Sequence, residues 1–210
     1  MHTPSILKHR SFRRHHLQVV RSAAAACLLL TTRISLCAQQ TLYVANGSQN
    51  VINRVDPAGT VSTFAALPAN TQAAGIAFDQ GGNLYVADQI GSRILQINPA
   101  GAVNPTPFAT LPTNYGASGL AFDRSGNLYA ASNRSDQISR ISPIGTVSLF
   151  ATLPTPNGLA FDTVGNLYAA DFTTSQISRI NSAGAVSLFA TLPANSSPDG
   201  LAFDAVGNLY

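Results

Sequence analysis

The sequence predicts an all-β fold made of one repeated sheet, and three observations carry that prediction. A motif returns along the chain, G-I-A-F-D at Gly75 and G-L-A-F-D at Gly119, Gly158 and Gly200, at intervals of 44, 39 and 42 residues. Each interval holds four short apolar runs separated by turn residues. No segment beyond residue 38 sustains a helical hydrophobic period. A single four-stranded sheet cannot cover both of its own faces, so units of this length stack around an axis. The expected architecture is a β-propeller of four-stranded antiparallel blades, with about four repeats present.

The first strand of each unit is the G-[IL]-A-F-D run. It leads into F-D-x-x-G-N-L-Y, which has the chemistry of a hairpin. Asp79, Asp123, Asp162 and Asp204 can accept backbone N–H bonds across the turn, and Gly82, Gly126, Gly165 and Gly207 supply its left-handed residue. The second strand is L-Y-V-A or L-Y-A-A, beginning at Leu42, Leu84, Leu128 and Leu167, with a last L-Y at Leu209. The third precedes N-P-A-G and its variants, in which Pro second and Gly fourth mark a type I turn. The fourth is F-A-T-L-P or a near copy. Weak alternation in runs such as R-I-L-Q-I implies strands covered on both faces. The chain past the leader begins and stops at a second strand, so it is expected to be a fragment of a longer, six-bladed propeller.

Residues 1–38 read as an export signal, with a basic stretch to Arg21, an apolar run over 23–30 and a small residue at Ala38. That run is too short to span a membrane. The propeller domain is then 39–210, and the expected location is secreted or periplasmic. All four histidines, both cysteines and the one lysine fall in the leader. Beyond it, six Arg face nine Asp, a net charge of −3, which disfavours nucleic acid as a partner. Thiol, Schiff-base and Ser-His-Asp chemistry are excluded there. An Asp acting as general base, or an Asp-held hard cation, survives.

Two rings of candidate residues follow from the repeat. Ala74, Ser118, Asn157 and Asp199 each precede a repeat glycine, at one mouth of the central channel. Asn46, Asp88, Ser132 and Asp171 each leave the second strand toward the same mouth. Channel-mouth binding is therefore expected of Ser118, Asn157, Asp199, Asp88 and Asp171, with Asp199 and Asp171 as catalytic candidates. The hairpin aspartates belong to the opposite end and to structure. Arg54, Arg140 and Arg179 recur once per blade in the third strand and read as solvated or pairing between blades.

The motif G-[IL]-A-F-D-x-x-G-N-L-Y-[VA]-A-[DNS] resembles the NHL repeat over residues 41–210, and is similar to the propellers of the regucalcin/gluconolactonase family. That resemblance implies Ca²⁺ or another hard divalent cation at the channel mouth, held by a Glu, by the Asn of P-N-G and by the Asp of P-D-G. Asn157 and Asp199 match the last two, whereas the chain contains no Glu. The repeat also resembles the streptogramin lyases, and the lack of histidine past the leader argues against them. The expected function is an exported binding or interaction module for a small molecule or protein at the channel mouth. The alternatives are a divalent-cation-dependent lactone hydrolase and a truncated, non-functional propeller.

Overall fold

In the computed structural model, residues 19–21 and 40–210 are described. The predicted export signal, 1–38, lies outside them except for strand β1 (Val19–Arg21), which pairs antiparallel with the second strand of the first blade. That blade continues through β2 (Leu42–Asn46), β3 (Val51–Val55) and β4 (Val61–Ala66). The second holds β5 (Ala73–Phe78), β6 (Leu84–Asp88), β7 (Arg93–Ile97) and β8 (Ala109–Thr110). The third holds β9 (Ala117–Phe122), β10 (Leu128–Ser132), β11 (Gln137–Ile141) and β12 (Val147–Thr152). The fourth holds β13 (Pro156–Phe161), β14 (Leu167–Asp171), β15 (Gln176–Ile180) and β16 (Val186–Thr191). Each sheet is a four-stranded meander in sequence order, so the predicted blades of a β-propeller are present. A bridge from Phe203 to Leu209 begins a fifth unit.

The turn chemistry acts as the sequence implied. In the hairpin at Asp79, one carboxylate oxygen accepts the N–H of Asn83 at 2.8 Å and the other accepts its side-chain amide at 2.8 Å. Gly82 sits at φ 80°, where a Cβ would be strained. The N-P-A-G turn closes with the N–H of Gly101 donating to the carbonyl of Asn98 at 2.9 Å. Arg54, Arg140 and Arg179 are exposed on the blade faces.

Burial grades from the axis outward. The second strands β6, β10 and β14 are buried along their whole length, while β16 at the rim is mostly exposed. Leu84, Leu128 and Leu167 have no exposed surface and pack between blades. A tyrosine of each second strand joins two blades by edge-to-face rings. Tyr85, for example, meets Phe108 of its own blade at 4.8 Å and Phe122 of the next at 5.0 Å.

Tyr115 breaks the repeat and fills the space between the second and third blades. Its hydroxyl donates to the carbonyl of Ala130 at 2.8 Å and accepts the N–H of Ser139 at 2.9 Å. Burial pushes its pKa up to about 12. Tyr115→Phe strands that buried N–H, which costs roughly 1–3 kcal/mol. Urea unfolding of the variant should show this loss with an unchanged slope.

Candidate functional site

In the second, third and fourth blades the first strand is bulged where the site begins. In the fourth blade the ladder pairs Pro156 with Asp171 and resumes at Leu159 with Ala169, leaving Asn157 and Gly158 in the bulge. The second blade does the same with Ala74 and Gly75, between the Ala73–Asp88 and Ile76–Val86 pairs. Such a bulge bends the strand and re-aims a side chain. Here it turns Ala74, Ser118 and Asn157 toward the channel.

The bulged residues fasten neighbouring first strands. Ser118 donates to the carbonyls of Ala131 at 3.3 Å and Pro156 at 3.4 Å, tying the third blade to the fourth. The Asn157 amide donates to Oδ1 of Asp199, tying the fourth blade to the segment that follows it. Ser118, Asn157 and Asp199 therefore come together. They share a cavity of about 820 Å³ with residues from the strands and loops of the first two blades and with Asn133 of the third. Its polar wall includes Asn50, Asn53, Asn70, Gln72, Gln89 and Asn133, and its apolar wall Val44, Ala45, Ala74 and Ile90.

The second ring has a different character. Asp88 is fully buried and closes its own loop. It accepts Nε of Arg93 at 2.8 Å, the N–H of Gln72 at 3.2 Å and the N–H of Gly91 at 3.0 Å. Ser132 and Asn46 hold the equivalent loops of their blades through Ser135 and Gln49. Asp171 is 1% exposed. Its Oδ2 accepts the Ser178 hydroxyl at 2.6 Å, while its Oδ1 is buried without a hydrogen-bond partner. Burial raises its pKa to about 6, and the Ser178 bond only partly offsets that rise. The structure thus brings Ser118, Asn157 and Asp199 to the cavity wall, and encloses Asp88 and Asp171 between strands behind it.

A calcium cage does not fit this arrangement. Ca²⁺ takes six to eight oxygens and usually several charges. Asn157 presents its amide nitrogen, not its oxygen, to Asp199. The Ser118 hydroxyl is engaged with two carbonyls. Among the described residues no three His, Cys, Asp or Glu cluster as metal ligands.

The amide wall from the first two blades was not anticipated from sequence. Its signal lay in loops such as A-N-T-Q and A-D-Q-I-G, which join strands at the same end as the repeat glycines. Those loops vary between blades, so the repeat does not flag them.

The fold recurs in known structures. Virginiamycin B lyase from Staphylococcus aureus is similar at TM-score 0.68 and 21% identity, over 80% of this chain and 58% of that one. A catalytically inactive histidine-to-alanine variant of that enzyme with quinupristin is similar at 0.66 and 20%, over 80% and 57%. A gluconolactonase from Xanthomonas campestris is similar at 0.68 and 22%, over 82% and 65%. A chain of the nidogen/laminin complex is similar at 0.68 and 23%, over 79% and 66%. At these identities the likeness shows the fold, and the chain spans less than two thirds of the lyases' length. No curated sequence is significantly similar to it. Residues 9–210 match the virginiamycin B lyase family. The argument from histidine against the streptogramin lyases is overturned as to kinship by that match. As to chemistry, the described residues contain no histidine. By its sequence match over residues 9–210, this chain belongs to the virginiamycin B lyase family.

Proposed function

We propose that the chain is an exported propeller that binds a small molecule at the channel mouth, in the cavity bounded by Ser118, Asn157 and Asp199. One observation carries this reading: the two residues that depart most from the repeat, Asn157 and Asp199, meet on the wall of a large cavity lined by amide, hydroxyl and apolar side chains. A volume of about 820 Å³ lies within the range of roughly 300–1,000 Å³ typical of ligand sites. Export rests on the leader composition. Among the described residues no helix is long and apolar enough to cross a membrane.

Ligand-observed NMR on the full chain, against sugars, lactones, amino acids and short peptides, tests the reading. Binders are expected whose affinity falls at least about tenfold in Asn157→Ala, the loss of one hydrogen bond to a charged group. A set with no binder sensitive to Asn157 or Asp199 would sink it.

The same pair supports a second reading, lactone hydrolysis. Asp199 takes a proton from water, the oxygen of that water adds to the lactone carbonyl, and the ring C–O bond breaks as Asp199 returns the proton to the leaving oxygen, giving the hydroxy acid. Lactone turnover that persists in Asp199→Asn rules this out.

A further inference from the structure

Every blade but the first takes its first strand from the repeat. In the second to fourth blades the ladder sets Leu84 opposite Phe78, Leu128 opposite Phe122 and Leu167 opposite Phe161. In the first blade β1 holds that place, with Arg21 opposite Leu42, Val20 opposite Tyr43 and Val19 opposite Val44. Three residues pair there, and the I/L-A-F of the repeat is replaced by V-V-R. Residues 201–203, Leu-Ala-Phe, carry the motif itself but stand in a barely begun blade. They meet Leu209 and Tyr210 through the Phe203–Leu209 bridge and two hydrogen bonds between Ala202 and Tyr210.

The first and fourth blades also present two halves of one interface. Leu84, Val86 and Ile97 have no exposed surface, because they pack against the first blade. Their equivalents Leu42, Val44 and Val55 are only half-buried, and Val61 beside them is 62% exposed. On the fourth blade Phe189 is 53% exposed, although it meets Tyr168 as Phe108 meets Tyr85. The backbone repeats this pattern. A Cβ on Gly101, Gly145 or Gly184 would collide with the carbonyl oxygen of Phe64, Phe108 or Phe150 in the preceding blade. Gly59, the same residue of the first blade, has nothing within 4 Å among the described residues. The Phe189 carbonyl is the next member of that series.

We propose that a second copy of this chain completes the first blade: residues 201–203 of each copy pair with β2 of the other, displacing β1 and Leu209–Tyr210. A sheet edge covered by three residues is an open template for such pairing. Leu42–Tyr43 is the same dipeptide as Leu209–Tyr210, so Phe203 keeps a leucine opposite it and stays on Tyr168. The exchange also completes a hydrogen bond. Tyr85, Tyr129 and Tyr210 each donate to the hairpin aspartate six residues earlier, at 3.3 Å. Six residues before Tyr43 stands Cys37, and Asp204 of the second copy supplies the acceptor instead. Four blades from each copy make a ring of eight, within the range of about four to eight that propellers use. The contact is reciprocal, so its twofold symmetry stops growth at two copies.

Size exclusion with light scattering on the full chain reads the outcome. A two-copy mass at high concentration, falling to one copy on dilution, is expected. Val20→Pro removes a ladder donor from β1, the competing strand, and should move the transition to lower concentration. Ala202→Pro puts the same defect in the incoming strand and should weaken the pair about a hundredfold. Val61→Glu alters a side chain exposed in the single copy, so it should fold and still lose the pair. Circular dichroism checks that each variant keeps its sheets, and if a proline variant does not, Val61→Glu decides. A single copy at every concentration in both the parent and Val20→Pro overturns the inference. So does a pair that a folded Ala202→Pro or Val61→Glu leaves intact, or a particle of more than two copies.

Discussion

Gly119→Ala and Gly158→Ala should each lose more than about 3 kcal/mol of stability or fail to fold, while Gly200→Ala stays within roughly 0.5 kcal/mol of the parent. The reason is the approach of successive first strands around the channel. A Cβ on Gly119 would stand 2.0 Å from the carbonyl oxygen of Asn157 and 3.1 Å from the Cα of Gly158. A Cβ on Gly158 would stand 2.1 Å from the carbonyl oxygen of Asp199 and 2.9 Å from the Cα of Gly200. These obstacles are backbone atoms, which cannot rotate away as a side chain can. The added methyl must push whole strands apart and open the packing of Leu120 and Leu159 behind them. Gly200 has the same place in the repeat but nothing within 4 Å, so alanine there costs little. Circular dichroism with urea unfolding of the three variants gives the comparison. If Gly119→Ala unfolds at the parent's midpoint, the first strands do not pack as closely as described.

The repeat was legible because each blade solves the same local problems with the same residues. Asp79 and Gly82 make one hairpin, and Asp123 with Gly126 makes the next in the same way. What the repeat cannot tell is how equivalent residues differ in partner. Asn157 and Asp199 were visible as departures from Ala74, but their contact depends on a strand bulge and on the distance between adjacent blades. The second ring shows the limit more clearly. Asp88 and Asp171 occupy equivalent positions and looked alike as channel-mouth acids. The register pairs Asp88 with Arg93, whereas Asp171 pairs with Gln176. One carboxylate is neutralised by its neighbour across the ladder, and the other is left with a serine hydroxyl. The difference is written in the third strands, R-I-L-Q-I against Q-I-S-R-I, but only a known register makes it readable.

That unmatched carboxylate yields the clearest dependence on pH. In the folded chain Asp171 titrates near 6, against an ordinary value of 3.8, because burial disfavours its charged form. Between these two values the folded state holds a proton that the unfolded state has released, so this group lowers stability as pH rises through that window. Above about pH 6 the full penalty applies, about 1–3 kcal/mol from a shift of this size. Asp171→Asn keeps the shape and removes the charge. It should match the parent near pH 4 and exceed it by about 1–3 kcal/mol near pH 7. Gln176→Arg should achieve the same by a different route, giving Asp171 the ion partner that Asp88 has. Carboxylates held below their ordinary value, as Asp204 is by the N–H of Asn208, impose the opposite slope. They are common to parent and variants, so the difference between the unfolding curves isolates Asp171. A difference that stays constant from pH 4 to pH 7, or reverses sign, would show that Asp171 carries its charge in the folded protein at no cost. Its buried Oδ1 would then have to be reached by water or a cation.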